Sequence, residues 1–163
     1  MLIHTEPDII TPFYLLIPEG LKQGERRAVV IASHGHSSSG KEAVAGVRSS
    51  PAMAQTIDHY HYNYGEVLAQ KGYIVICPDA RGFGERRERY YQGDGPEQFM
   101  RSSCDYLNVM AVSLGQTVTG MWTWDLMRLV DYSLTREDVN GHVASVGLSG
   151  GGHGGCKRTC RQR

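Results

Sequence analysis

The chain of 163 residues is 40% hydrophobic and 21% charged, enough length for one domain and enough apolar content to fill a core, which excludes disorder over most of it. Lys plus Arg equals Asp plus Glu, 17 each, so charge gives no drive toward nucleic acid or an anionic membrane. The basic end, with Lys157, Arg158, Arg161 and Arg163, reads as solvated. The first eight residues lack a basic segment followed by an apolar one, and no run approaches the roughly 18 apolar residues that span a bilayer. The expectation is a cytoplasmic protein, with cysteines too scattered for a disulfide framework.

In chain order, two β-like runs come first, at 13–17, closed by Pro18-Glu19-Gly20, and at 28–32, closed by Ser33-His34-Gly35. The second is continuous and β-branched, which suits a strand covered on both faces of a parallel sheet. A helical segment is predicted over 56–70, ended by Gly72. Another buried strand spans 73–77 and stops at Pro78-Asp79. The polar stretch 81–101 reads as a surface excursion. Val118, Met121, Trp122, Leu126, Leu129 and Val130 recur at spacings of three and four, one face of an amphipathic helix. Asn140-Gly141 reads as a turn before a last strand at 143–148. Strands alternating with helices predict an α/β fold with a mainly parallel sheet, whose chemistry sits at the carboxyl ends of the strands.

Three motifs fall at those ends. Gly147-Leu148-Ser149-Gly150-Gly151 fits G-x-S-x-G directly after a strand, the sharp turn that projects a serine above a sheet. Ser149 is the expected nucleophile, and the N–H of Gly150 is expected to face the developing oxyanion. His34-Gly35-His36 leaves an earlier strand, and the backbone N–H of His36 is the expected second donor. His34 and Gly35 support it, and His34 with His36 lacks the third ligand a metal would need. The same loop offers a rival: Gly35 and Lys41 end a G-x-x-x-x-G-K pattern that could cradle phosphate, although Glu42 stands where a magnesium-binding hydroxyl should be. In the third loop, Asp79 and Arg81 are expected to hold each other and brace the site as scaffold.

Together the motifs resemble an α/β-hydrolase of the dienelactone-hydrolase and acetyl-xylan-esterase-like group. The likeness rests on residues 29–36, 72–84 and 146–152, and on Gly120 to Arg128, similar to the helix before the nucleophile strand. It implies hydrolysis of a small carboxylic ester through an acyl-enzyme, with no metal or organic cofactor. Ser149 stands where dienelactone hydrolases proper have cysteine, which favours the esterase side. In this fold the acid and histidine of the triad follow the serine, yet only 14 residues come after Ser149 and none of them is Leu, Ile, Val, Phe or Met. The expectation is therefore an incomplete α/β-hydrolase fold. Residues 1–152 would be the N-terminal portion of the domain, and 153–163 an aberrant basic Gly/Cys tail of a truncated or frame-shifted reading. The alternatives are a catalytically inactive remnant that binds or merely persists, and, in the tail, a metal site of His153, Cys156 and Cys160 that lacks a fourth ligand.

Overall fold

The structure, a computed structural model, describes residues 1–36, 39–88, 95, 98 and 100–153. It opens with a hairpin of β1 (Leu2–Glu6) and β2 (Ile9–Leu16). Pro7-Asp8 turns it, Asp8 taking a φ of 61° that a short Asx side chain tolerates. Then follow β3 (Arg27–Ser33), α1 (Lys41–Val44), α2 (Pro51–Tyr60), α3 (Tyr64–Gln70), β4 (Ile74–Pro78), α4 (Cys104–Ser113), α5 (Val118–Leu134) and β5 (Val139–Gly147).

The strands form one sheet in the order β1-β2-β4-β3-β5. This is an α/β fold, but the sheet is mixed and not mainly parallel. β3 pairs parallel with β4 and with β5, whereas β1–β2 and β2–β4 are antiparallel. The physical reason lies in the connections. Helices join β3 to β4 and β4 to β5, and such crossovers return the chain in the same direction. β2 instead arrives from a hairpin and lies against β4 the other way.

Period two along the buried strands sorts the core into two layers. Val29, Ile31, Ile74 and Ile76 pack with Phe13, Leu129, Val130 and Val139 under α5. Ala32, Val75 and Cys77 face the other way, against Ala43, Val44, Met53, Ile57 and Tyr62. Both faces of β3 and β4 are therefore covered, which is why their sequences read as continuous apolar runs.

Three sequence expectations shift. The helix predicted over 56–70 begins earlier, at Pro51, where the Ser50 hydroxyl accepts the Met53 N–H at 3.2 Å. It then breaks in two because His61 takes a left-handed φ of 52°. Asn140-Gly141 is part of β5, not a turn: the register shift between Arg27 and Val29 absorbs the extra length, and Gly141 supplies a φ of 86° there. β1 and α4 are elements beyond those that the apolar patterns predict. Among the described residues no helix is long and apolar enough to cross a membrane.

Candidate active site

The parallel register of β3 and β5, Ser33 opposite Gly147, delivers their two carboxyl ends side by side. Ser149 therefore emerges next to the loop of His34, Gly35 and His36. Its backbone holds a φ of 52°, a left-handed conformation that costs a non-glycine residue about 1–3 kcal/mol. The turn closes through Gly151 N–H to Leu148 O at 2.9 Å and Gly152 N–H to Ser149 O at 3.0 Å, and residues 150–153 are helical. The glycines are required by space. A Cβ on Gly147 would lie 2.4 Å from the Gly151 carbonyl carbon, and one on Gly151 would lie 2.3 Å from Ser33 O.

The early loop is fixed from below. Ala80 N–H donates to His34 Nε2 at 3.0 Å, so the ring proton sits on Nδ1, 2.9 Å from Gly35 O. Burial pushes the His34 pKa down, with the Gly35 contact only partly opposing it, so the ring is a neutral strut between the β3 and β4 loops. The Tyr64 hydroxyl donates to Ser33 O, and burial pushes its pKa up. Gly35 threads a narrow gap: a Cβ there would meet Tyr62 Oη at 2.7 Å, Leu148 O at 2.9 Å and Ser149 Cβ at 3.3 Å.

His36 is exposed. Its ring stands edge-on to Phe83 and Trp122, with centroids 5.3 and 5.9 Å away. The same ring presses on the turn after β5, since a Cβ on Gly150 would lie 2.6 Å from His36 Nδ1. The backbone N–H groups of His36 and Gly150 donate to no described residue, and neither does the Ser149 hydroxyl. Ser149 thus has no hydrogen-bonded base among the described residues.

Asp79 and Arg81 do not hold each other. Asp79 is buried and accepts from Lys41 Nζ at 2.7 Å, from Lys41 N–H at 2.7 Å and from Glu85 N–H at 3.2 Å. It binds the loop after β3 to the loop after β4, with Gly40 and Gly84 packed on its carboxylate. Arg81 points instead to α5, where its guanidinium meets Asp125 at 3.0 and 2.8 Å and also pairs with Glu6. The side chains diverge because Asp79 directly follows β4 and faces the loop after β3, while Arg81 lies two residues on in a turn. Lys41, the lysine of the phosphate-loop pattern, pairs with Asp79 and Glu85. Burial alone would depress its pKa, but Asp79 and then Glu85 outweigh it and raise it, so the ammonium is committed to two carboxylates.

Asp125 was missed from sequence. It takes bonds from Thr5, Arg81 and Arg86, the first and last at 2.7 and 2.8 Å. Burial opposes its charge, and these three donors together hold its pKa below the ordinary carboxylate range. The available signal was an acid on the buried stripe of α5, between Trp122 and Leu129. Next to it, Thr11, Ser33, His34, His36, Phe83 and Trp122 line part of a cavity of about 30 Å³ that reaches Gly150. No three His, Cys, Asp or Glu side chains converge as a metal-ligand set among the described residues, and Cys156 and Cys160 lie outside them.

No family model and no curated protein matches the chain. Among solved structures, a "putative acetyl xylan esterase" from Bacteroides fragilis superposes with a TM-score of 0.76 at 18% identity, over 94% of this chain and 38% of that one. The chain thus spans well under half the length of that neighbour, and the likeness shows a shared α/β fold.

Proposed function

We propose that this chain carries the nucleophile portion of an α/β-hydrolase, with Ser149 attacking carboxylic esters. The single supporting observation is the strained φ of 52° at Ser149, held between β5 and a helical turn, in a site where the N–H groups of Gly150 and His36 donate to no described residue. Backbone strain of this kind persists where the surroundings over-determine it, and it concentrates at functional sites. The name borne by the structural neighbour agrees with an esterase reading.

In this reading the Ser149 oxygen bonds to the ester carbonyl carbon and the two N–H groups receive the charge that develops on the carbonyl oxygen. The alkoxide leaves, and water then releases the acid from the acyl-enzyme. The serine proton needs an acceptor, and none is bonded to Ser149 among the described residues, so acylation is expected to be slow. That same observation favours the second reading, a catalytically inactive remnant. A fluorophosphonate probe separates them. Labelling of the folded chain that disappears in Ser149→Ala supports the hydrolase; no labelling of folded chain supports the remnant.

A further inference from the structure

We infer that the His36 side chain is a positioning residue that sets the spacing of the two oxyanion donors, an inference that rests on the ester-hydrolase reading above. The two donors belong to separate segments: the His36 N–H follows β3, and the Gly150 N–H follows β5. Nothing in the backbone pairing ties them, because the β3–β5 ladder ends at Ser33 and Gly147. The His36 ring makes the tie. It is gripped edge-on by Phe83 from the β4 loop and Trp122 from α5, both buried. Trp122 is itself anchored, its indole N–H donating to Arg81 O at 3.0 Å. The ring also abuts Gly150, so closely that a Cβ there would lie 2.6 Å from Nδ1 and Cε1. One side chain therefore carries the first donor on its own backbone and seats the second against its ring. Glycine at 150 is then needed for this approach, since its φ is not in the left-handed region.

The contacts are those of an aromatic edge and face, which a phenyl ring reproduces and a methyl group does not. The test is the inactivation rate of the full chain by a fluorophosphonate. In that reaction the Ser149 oxygen–phosphorus bond forms, fluoride leaves and the serine proton passes to solvent. His36→Ala keeps the backbone N–H, and the inference expects it to slow the first-order inactivation step about 10- to 100-fold, with the probe's saturation constant little changed. His36→Phe should recover most of that rate. A variant that merely unfolds in part reduces the labelled fraction at the end point, whereas lost positioning reduces the rate while labelling still runs to completion. His36→Ala reacting at the unsubstituted rate overturns the inference alone. So does His36→Phe reacting as slowly as His36→Ala, which would make the imidazole a proton acceptor. Absence of labelling in the unsubstituted chain overturns the inference together with the reading beneath it.

Discussion

Residue identity carried most meaning where it dictates backbone. Gly147, Gly150 and Gly151 each sit where a side chain would strike a neighbouring segment, and a tight turn at this place is what G-x-S-x-G after an apolar run leads one to expect. Side-chain partnerships were less legible, since they depend on where a loop travels after the residue in question. Asp79 and Arg81 are two apart in sequence, yet one turns to Lys41 and the other to Asp125. His34 shows how a residue's chemistry depends on its enclosure. Its folded pKa is lowered by burial, so on acidification the unfolded chain takes up a proton first. The stability that the neutral ring contributes is complete above about pH 6.5 and is lost as pH falls through the folded value, at up to about 1.4 kcal/mol per pH unit. Thermal melts on either side of about pH 6.5 should show this loss, and His34→Asn should flatten it. An unchanged slope in His34→Asn would show that the buried ring is not its source.

Elements with a strong apolar signal were legible: β3 and β4 as continuous runs and α5 by its helical period all appear where those patterns lie. The failures share a cause, which is that tertiary partners decided them. β1 exists because it pairs with β2, and the Asn140-Gly141 signal was overridden because β5 pairs with β3 through a register shift. α5 also holds a buried electrostatic joint. Asp125 on its buried face gathers Thr5 from β1 and Arg81 and Arg86 from the β4 loop, while Trp124 of the same helix donates to Thr5 O at 2.8 Å. Removing one member of a buried ion cluster weakens the others, and Asp125→Asn would leave the largely buried Arg86 guanidinium without its carboxylate and Arg81 with Glu6 alone. Urea denaturation should register a loss of about 3 kcal/mol. A change below about 1 kcal/mol would mean that the arginines find other partners or solvent at little cost.

For the whole molecule, the decisive feature is what β5 offers on its outer side. β5 is an edge strand, and its other edge pairs with no described strand. Between Val139 and Leu148 there is no Lys, Arg, Asp, Glu or Pro, and Val146 and Leu148 are exposed. Natural edges are usually guarded by charge, proline or bulges against pairing with another chain. Sedimentation velocity over rising concentration is expected to show self-association that Val146→Lys reduces; a concentration-independent monomer would contradict this. The elbow that gives the fold its proposed chemistry lies at the end of this same strand. The most direct test of that chemistry is peptide mapping by mass spectrometry after fluorophosphonate treatment of the folded chain. The account predicts a single phosphonyl adduct on Ser149, absent after prior unfolding. An adduct spread over other serines, or one that forms equally well on unfolded chain, would contradict it.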